Sequence, residues 1–459
     1  MASGDLTQLT ALGPAGPFRA RNRQLVEDVA GAPVAELSVV PPLFVARAMT
    51  ALARAAEMPA VQRLAALRRA GQVFAEGAPD GQPVGAYQRV VSRVSGLPLP
   101  VVRAATDFVH RAAREVCTAV DSARPAGAVS DWRAPGRADG TAVWTRRGDV
   151  LAVLAAGNHP AVHAPWLEAL ALGYRVAVRP SRREPFTPYR LVAALREAGF
   201  GPDQVVLLPT EHATADRMIS GADLAMVYGG QDVVDRYATT PTVLGQGPGR
   251  SKILLTAGGD WQRQLDVVVR SISDEGGAAC TNATAVYVEG DPTPVAEAIA
   301  ERLAALPSLP PEHDAARLPV QPLPLAKKVE DYLRAKARGC TFRLGDGDLV
   351  DELADGSAVL RPAVIQVDRV TAPQTSIELG FPCVWVAPWS RSDGIEPLTD
   401  TLVLAVSTDD DDLVDALVAE PTIRNVYVND LWTLRTAPHL PHDGFVGEFL
   451  MRTKAVIRR

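Results

Sequence analysis

Cysteine is scarce in this sequence, and the few cysteines form no recognisable motif. The 459 residues include four of them, Cys117, Cys280, Cys340 and Cys383, which are widely spaced. That spacing argues against a disulfide framework and against a zinc site, and it predicts a cytoplasmic protein in a reducing environment. The seven histidines likewise show no spacing typical of metal ligands. The sequence therefore predicts no bound metal.

Long apolar runs and an excess of positive charge are also missing. No apolar run reaches the length of about 18 residues that a membrane span needs, and the first residues lack the basic start and apolar core of a signal peptide. The formal net charge is -6 at pH 7, which argues against a nucleic-acid-binding surface. With 47% hydrophobic and 22% charged residues, the composition is that of an ordinary globular protein.

The N-terminal third of the sequence predicts helices after an irregular start. Residues 1–20 are rich in Gly, Pro and Ala, so we expect them to be loosely ordered. Apolar residues recur at three- and four-residue steps within Pro42–Phe74, and a second helical block covers Pro98–Val120. Residues 124–146 carry turn residues between two short strand-like pieces. This segment predicts a protruding β-hairpin that serves subunit contacts.

From Gly148 onwards the sequence alternates between apolar runs and helical segments. The run DVLAVLAA is continuously apolar, as a parallel strand buried on both faces should be. The order β-α-β-α-β that follows predicts an α/β fold with a doubly wound parallel sheet. Such sheets bind ligands at the carboxyl ends of their strands. The residues at these ends are Asn158, the group Arg179–Arg183, and Gly229 with Gly230.

One cysteine lies in a loop of small residues. Cys280 follows two glycines and two alanines in the segment 274–283, so other groups could approach its sulfur closely. Cysteine is nucleophilic as the thiolate, and such a loop suits a sulfur that both a substrate and a cofactor must reach. The alternative is a buried cysteine that packs as a small hydrophobic residue.

Several segments resemble, in order and in type, the motifs of the aldehyde dehydrogenase superfamily. The loop GGAACTNA is similar to the family's Gly-Gln-x-Cys motif, and AAGNHP to its Pro-Trp-Asn-Phe-Pro segment. VAVRPSRREPFTP resembles the Lys-Pro-Ser-Glu-x-Thr-Pro strand end, MVYGGQDVV the Phe-Thr-Gly-Ser segment, and SIELGFPCV the Glu-Ile-Phe-Gly-Pro-Val motif. The end, PHDGFVGEFLMRTKAVI, resembles the family's last loop and strand. The resemblance spans roughly residues 45–459 and is closest in character to the acylating, acyl-CoA reductase branch.

The fold of that family implies three parts in this chain. Residues 1–123 and 147–250 would form a Rossmann-like domain that binds a nicotinamide cofactor. Residues 251–430 would form a catalytic α/β domain that carries the nucleophilic cysteine. Residues 124–146 and 449–459 would form a small β oligomerisation arm. By the same resemblance, the protein would be a homodimer or a homotetramer.

The resemblance also implies roles for individual residues. Cys280 would be the nucleophile, and the side-chain amide of Asn158 would stabilise the developing oxyanion together with the backbone N–H of Cys280. Glu378 would accept hydrogen bonds from the nicotinamide ribose. Gly229 and Gly230 would let the backbone approach the cofactor's pyrophosphate near a helix N-terminus.

The sequence departs from the family at the general base. Hydrolytic members have a glutamate in a Glu-Leu-Gly-Gly-Lys motif, and this glutamate activates the water that cleaves the acyl-enzyme. The best match here, Gln246-Gly-Pro-Gly-Arg250, replaces it with Gln246, and an alternative match at residues 256–259 also lacks a carboxylate. Glutamine cannot take a proton from water, so an acceleration of roughly 10²–10⁴-fold is missing. A thiol that ionises unaided, such as coenzyme A or a phosphopantetheine arm, would be a better acyl acceptor.

A second departure concerns the cofactor. Where the family carries a lysine and then a glutamate, this sequence has Arg179-Pro-Ser-Arg-Arg183. A glutamate there binds the ribose hydroxyls and repels a 2′-phosphate, whereas Arg182 and Arg183 would attract one. We therefore predict NADPH (NADP) as the cofactor, with NADH (NAD) as the alternative, and contacts from Arg179, Ser181 and Arg182. Arg183 could instead be a solvated surface residue.

Three functions are compatible with these residues. The first is an NAD(P)H-dependent reductase that converts an acyl thioester into an aldehyde through a thioester on Cys280. The second is a hydrolytic aldehyde dehydrogenase, against which Gln246 argues. The third is a non-catalytic subunit of an acyl-activating complex, against which the joint presence of Cys280, Asn158 and Glu378 argues. The acyl group stays open, as does its carrier: coenzyme A, a carrier protein or an adenylate.

Overall fold

In the computed structural model, the chain folds around two seven-stranded sheets that are flanked by helices. The structure describes residues 6–134 and 140–458. Both sheets are mostly parallel, which confirms the predicted α/β fold with Rossmann-like sheets. In the described part of the chain, no helix combines the length and the apolar character needed to cross a membrane.

The elements of the first half end near residue 250. Its strands are β1 (Thr7–Leu9), β2 (Ala11–Gly13), β3 (Gly16–Phe18), β4 (Arg23–Glu27), β5 (Pro33–Ser38), β6 (Thr141–Arg146), β7 (Val150–Leu154), β8 (Arg175–Arg179), β9 (Val205–Leu207), β10 (Leu224–Tyr228) and β11 (Val243–Gln246). Its helices are α1 (Pro42–Arg54), α2 (Ala60–Glu76), α3 (Val84–Ser95), α4 (Leu99–Ala123), α5 (Leu167–Leu172), α6 (Phe186–Glu197), α7 (His212–Ser220) and α8 (Gln231–Tyr237).

The elements of the second half continue to the C-terminal strand. Its strands are β12 (Ser251–Leu255), β13 (Ala283–Glu289), β14 (Val320–Pro322), β15 (Thr341–Leu344), β16 (Val350–Glu352), β17 (Ser357–Leu360), β18 (Ala363–Gln366), β19 (Cys383–Trp389), β20 (Leu404–Ser407), β21 (Val426–Val428) and β22 (Met451–Val456). Its helices are α9 (Trp261–Ser273), α10 (Thr293–Ala304), α11 (Leu323–Lys336), α12 (Asp411–Ala419) and α13 (Val446–Leu450).

The first sheet has the strand order β11-β10-β7-β8-β9-β2-β3. Its strands β7 to β11 are parallel, and every residue of β7 and β8 is buried, in keeping with their apolar sequences. The chain runs outward from β7 to β8 and β9, and then returns to β10 on the other side of β7. The direction of winding therefore reverses between β7 and β10, which is where doubly wound sheets bind their ligands.

Amphipathic helices cover this sheet. In α2, buried residues recur at three- and four-residue steps, among them Leu67, Ala70 and Phe74. This spacing places them on one face, so the helix packs through that face. The predicted helical blocks correspond to α1, α2 and α4, whereas α3 lies in a segment for which no helix was predicted.

The second sheet has the order β15-β18-β19-β13-β12-β20-β21 and positions the cysteine loop. Strand β12 pairs in parallel with β13 on one side and with β20 on the other. Helix α9 begins after Asp260, whose carboxylate accepts hydrogen bonds from the backbone N–H groups of Gln262 and Arg263. A short 3-10 turn, Asp274–Gly277, then leads through Cys280 into β13. The cysteine therefore lies beside the middle strands of the sheet.

The C-terminal strand pairs with a segment from the middle of the chain. Strand β22 runs antiparallel to β6, from the pair Met451 and Arg146 to the pair Val456 and Thr141. The predicted final strand is present. The hairpin predicted over residues 124–146 includes 135–139, which lie outside the described residues; within the described part, Val129 forms an isolated bridge with Val143.

The expectation of a loosely ordered start is wrong where the structure describes it. Residues 7–18 form the three strands β1, β2 and β3. Leu12 pairs with Leu207 of β9 and is buried, so this segment extends the first sheet at its edge. Gly13 packs against Phe44, because an added Cβ would lie 2.6 Å from that ring. These contacts are with residues far along the chain, so composition alone did not reveal them.

The division of the chain into three parts stays a prediction. The first seven-stranded sheet takes its strands from residues 11–246, and the second takes its strands from residues 251–428.

Candidate functional site

The loop that carries Cys280 is held in a tight conformation. Glu275, Gly276 and Gly277 all have positive φ, at 57°, 71° and 66°. Gly277 also lies against the segment before β19, because an added Cβ would be 2.4 Å from the backbone nitrogen of Pro382. A side chain at that position would displace the loop, which explains the glycine.

A buried asparagine supports this loop from behind. The side-chain oxygen of Asn282 accepts the backbone N–H of Ala279 at 2.9 Å. Its amide nitrogen donates to the carbonyl groups of Ser271 and Asp274, at 3.1 Å and 2.8 Å. Asn282 thus ties the end of α9 to the residue before the cysteine. The sequence analysis did not single it out, although its place two residues after Cys280 was visible.

The Cys280 thiol is in an environment that disfavours the thiolate. Burial, the nearby carboxylate of Glu378 and that of Asp443 raise the pKa of Cys280 to about 12. At neutral pH the sulfur therefore carries its proton. A nucleophilic role requires a group that removes this proton when the sulfur attacks.

His442 is the imidazole next to this sulfur. Its Nε2 lies 3.5 Å from the Cys280 Sγ, although the two residues are 162 positions apart in the chain. Burial lowers the pKa of His442, which the neighbouring Asp443 opposes. The imidazole is therefore favoured in its neutral form. His442 was not among the predicted site residues, although the segment PHDGF that contains it resembles the family's last loop.

Asn158 lies at the switch point of the first sheet and reaches the cysteine loop. It follows β7, its side chain is exposed, and its Nδ2 donates to the carbonyl oxygen of Ala278 at 3.3 Å. The structure thus places the Asn158 side chain in contact with Ala278, which lies two residues before Cys280 in the chain.

The residue after Asn158 makes a second link between the same two loops. The Nε2 of His159 lies 2.9 Å from a carboxylate oxygen of Glu275, and its Nδ1 accepts the backbone N–H of Ala161. Because Nδ1 is an acceptor, the Nε2 carries the hydrogen that Glu275 accepts. This pair fixes the distance between the loop after β7 and the loop that carries Cys280.

Gln246 ends β11 and starts a loop that packs directly on the cysteine. In this loop an added Cβ on Gly249 would lie 1.8 Å from the carbonyl oxygen of Cys280. The same carbonyl oxygen accepts the Ser251 hydroxyl at 3.1 Å. The structure therefore places Gly249 and Ser251 of this loop against the Cys280 backbone. Gln246 is half-buried and brings no carboxylate there.

Glu378 contacts the same loop. One of its carboxylate oxygens accepts the backbone N–H of Arg250 at 2.8 Å. Burial raises the pKa of Glu378, against the effect of the hydrogen bonds from Arg250 and Gly249. Its carboxylate also contributes to the raised pKa of Cys280. Glu378 is therefore close to both the cysteine and the loop that begins at Gln246, whereas its predicted role at the nicotinamide ribose stays a prediction.

The arginines at the end of β8 and directly after it form hydrogen bonds or ion pairs with other residues of the protein. The guanidinium of Arg179 is buried and donates to the Thr210 hydroxyl at 3.1 Å and to the Thr210 carbonyl at 3.2 Å. Arg182 forms an ion pair with Glu211 at 2.6 Å. Arg183 donates to the backbone of Ser95. Glu211 thus offsets the positive charge that Arg182 was predicted to offer to a phosphate.

The neighbouring residues leave little room for side chains at the switch point. An added Cβ on Gly157 would lie 2.4 Å from the hydroxyl of Ser181. The backbone N–H of Gly229 donates to the carbonyl of Gln246 at 3.1 Å, and Gly230 directly precedes α8. An added Cβ on Gly229 would lie 2.5 Å from the Val233 side chain, so glycine is required for this close packing.

Metal ligands are not grouped in the described ranges, 6–134 and 140–458. No set of three or more His, Cys, Asp or Glu side chains lies close enough there to hold an ion.

Comparisons with known proteins agree with this fold. The sequence model of the aldehyde dehydrogenase family matches residues 31–447. A 2-hydroxymuconic semialdehyde dehydrogenase from Pseudomonas sp. (strain CF600) is 25% identical over 280 residues, which are 55% of this chain and 55% of the relative. A 2-aminomuconic semialdehyde dehydrogenase from Danio rerio is 24% identical over 270 residues, or 54% of each chain. The chain thus spans about half the length of the curated relatives it matches.

Solved structures share the whole fold at low identity. A structure described as an NADP dependent enzyme from E. coli has a TM-score of 0.82 and 16% identity, covering 99% of both chains. An indole-3-acetaldehyde dehydrogenase complexed with NAD+ has a TM-score of 0.82 and 17% identity, covering 98% of this chain and 96% of that one. At this identity the likeness extends to the fold alone.

Proposed function

Because the chain belongs to the aldehyde dehydrogenase family, we propose that it oxidises an aldehyde with NAD(P), through a covalent thioester on Cys280. The observation that carries the proposal is the meeting of three elements at Cys280: the Asn158 loop, the loop after Gln246, and His442. The matched relatives are named semialdehyde dehydrogenases, which supports oxidation over the thioester reduction that the sequence analysis put first.

The residues at the switch point fit a dinucleotide. Gly229 and Gly230 place no side chain of their own at the start of α8. Glu378 accepts the backbone N–H of Arg250, and its carboxylate raises the pKa of Cys280. The pyrophosphate would be held at Gly229 and Gly230, and the nicotinamide ribose by Glu378. When bound, the oxidised nicotinamide supplies the acceptor for hydride.

The chain's own residues account for the other steps. Attack of the Cys280 sulfur on the aldehyde carbon puts negative charge on the carbonyl oxygen. The exposed amide of Asn158 and the backbone N–H of Cys280 would donate to that oxygen. One such donor lowers the activation barrier by on the order of 3 kcal/mol. Loss of hydride from the same carbon leaves the Cys280 thioester. Asn282 and the Glu275–His159 pair keep the two loops in register for these steps.

The NADP preference rests on the end of β8. Position 182 carries an arginine in place of a carboxylate. A carboxylate there would repel a 2′-phosphate, so its replacement supports NADP. The ion pair with Glu211 reduces the attraction that Arg182 can exert. We propose NADP as the preferred cofactor, with NAD as the alternative.

A second candidate function is favoured by Gln246. With no carboxylate in the loop against Cys280, water attacks the thioester slowly, and a thiol such as coenzyme A or a phosphopantetheine arm takes the acyl group instead. In the reverse direction the protein would reduce an acyl thioester to an aldehyde. This reaction uses the same nucleophile and the same oxyanion donors.

The experiment that separates the two uses purified protein, a panel of aldehydes that includes semialdehydes, and NAD+ or NADP+, with and without coenzyme A. Reduced nicotinamide that forms steadily without the thiol supports hydrolytic oxidation. Turnover that requires the thiol supports the acylating reaction. If neither condition gives turnover and Cys280 takes up no acyl group, the proposal is wrong and a non-catalytic subunit remains.

A further inference from the structure

The Cys280 thiol and the His442 imidazole form a close pair that none of the sequence motifs predicted. The Sγ–Nε2 distance is 3.5 Å, within the range of a hydrogen bond to sulfur. We propose that His442 is the general base that removes the Cys280 proton when the sulfur attacks the carbonyl carbon. The inference rests on the proposed function for its substrate, but the pair itself is present in the free protein.

The imidazole is held in place by contacts on its own backbone and its neighbour. Asn425 donates to the carbonyl of His442 at 2.6 Å and to that of Leu402 at 2.8 Å. These two bonds tie the loop that carries His442 to the segment just before β20. The next residue, Asp443, lies 3.4 Å from the guanidinium of Arg424. These contacts fix the loop between β21 and α13, so the ring stays beside the sulfur.

The charges around the pair favour neutral partners at rest. Glu378 and Asp443 both disfavour the Cys280 thiolate, and burial disfavours both the thiolate and the imidazolium. A preformed ion pair is therefore not the resting state. A neutral imidazole with its proton on Nδ1 can instead accept the thiol hydrogen as the carbon–sulfur bond forms.

The protons and electrons balance over the reaction. The Cys280 S–H bond breaks, the proton moves to His442 Nε2, and the sulfur pair forms the bond to the aldehyde carbon. Hydride leaves that carbon for the oxidised nicotinamide, which is reduced, and the thioester remains. When water or a thiol later displaces Cys280, its sulfur takes the proton back from His442, and the acceptor's proton passes to solvent. One proton is released for each aldehyde converted to a thioester product, and a second is released when the product is an acid that ionises at neutral pH.

The residues at positions 442 and 246 affect two different steps of the proposed reaction. His442 assists formation of the thioester, whereas the missing carboxylate at Gln246 affects its cleavage by water. A chain with this pair can therefore acylate its cysteine readily and still hydrolyse the thioester slowly.

The test measures alkylation of Cys280 by iodoacetamide in the free protein as a function of pH, with the modified cysteine located by mass spectrometry. In the wild type we expect a rate that is flat at neutral pH and falls about tenfold per pH unit only below the lowered pKa of His442. In His442→Gln the rate should be at least about 10²-fold lower at neutral pH and should rise tenfold per unit towards high pH. His439→Gln is the matched control, since His439 is exposed on the same loop.

The outcomes are decisive in either direction. Equal rates and profiles in the wild type and His442→Gln would overturn the proposal. So would a wild-type rate that rises tenfold per pH unit through neutrality, a result that needs no variant to fold. Protection of the buried Cys383 thiol from alkylation serves as the internal measure of folding. If alkylation depends on His442 but no aldehyde is turned over with NAD+ or NADP+, the pair stands and the proposed function fails.

Discussion

At the scale of single residues, the proposed mechanism assigns separate roles to two side chains. Asn158 would stabilise the carbonyl oxygen of the substrate, and the residue at position 246 would affect the attack of the acyl acceptor on the thioester. Asn158 donates to the Ala278 carbonyl, and in the proposed mechanism it also donates to the substrate oxygen. Gln246 starts the loop that packs on Cys280 and offers no base. These two positions affect different steps, so substitutions at them should have different kinetic signatures.

Replacing Asn158 with alanine should lower kcat by about 10²–10³-fold, because one oxyanion donor is lost while the thiol is untouched. The rate of Cys280 alkylation should stay within a factor of two of the wild type. Steady-state rates of nicotinamide reduction check the first expectation. Asn22→Ala, at an exposed asparagine, is the control. A fall in kcat smaller than about fivefold would remove Asn158 from the oxyanion site.

Replacing Gln246 with glutamate should increase thiol-independent turnover by about 10²-fold, because a carboxylate beside the thioester can take a proton from water. Gln246→Ala, which removes the side chain without adding a base, should show no such gain. The measurement is steady nicotinamide reduction in the absence of any thiol. An unchanged rate in Gln246→Glu would mean that cleavage of the thioester by water is not limited at this position.

At the scale of elements, the start of α6 carries a buried carboxyl group. Glu184 accepts the backbone N–H of Thr187 at 2.8 Å, and burial raises its pKa to about 7 from an ordinary 4.5. The native state thus holds this proton more tightly than the unfolded chain. The stabilisation is fully present below about pH 4.5 and is lost as the pH rises through 7.

Replacing Glu184 with glutamine should therefore stabilise the protein at high pH. Glutamine keeps an oxygen for Thr187 and has no charge to bury, so the free energy of unfolding at about pH 8 should rise by up to about 3 kcal/mol. Near pH 5 the difference should be small. Denaturant unfolding at both values measures it, with Glu197→Gln at the exposed end of α6 as the control. A difference independent of pH would contradict the buried-carboxyl account.

At the scale of the whole molecule, the pairing of β6 with β22 joins residues 141–146 to residues 451–456. The sequence analysis assigned these segments to an oligomerisation arm, and this role stays a prediction, as do a dimeric or tetrameric state and a cytoplasmic location. Several residues of β22, such as Arg452 and Lys454, are exposed along this ribbon. The ribbon thus has surface left to contact another subunit.

If the ribbon mediates assembly, Lys454→Pro should reduce the molar mass in solution. Proline removes a backbone N–H in the strand opposite Val143 and disfavours the pairing, whereas Lys454→Ala keeps the backbone donor. Light scattering coupled to gel filtration measures the mass of both variants. An oligomer of unchanged mass in the proline variant would exclude the ribbon as the assembly interface.

Much of the architecture could be predicted because its causes are local in the chain. Continuous apolar runs indicated β7 and β8, three- and four-residue periodicity indicated α2 and α4, and their alternation indicated the α/β class. The edge strands at residues 7–18 were missed, because short strands there depend on contact with β9 and with Phe44.

The sequence by itself determined the alternation of strands and helices from residue 148 onwards, the small-residue loop at Cys280 and the absence of a carboxylate at Gln246, since each depends on a short segment. Only the tertiary structure brought His442 to the sulfur, paired Arg182 with Glu211, and raised the pKa of the Cys280 thiol. Those properties arise from burial and from contacts between residues that are distant in the chain. Local patterns do not encode them, because the approach of such residues is set by the packing of whole sheets and loops.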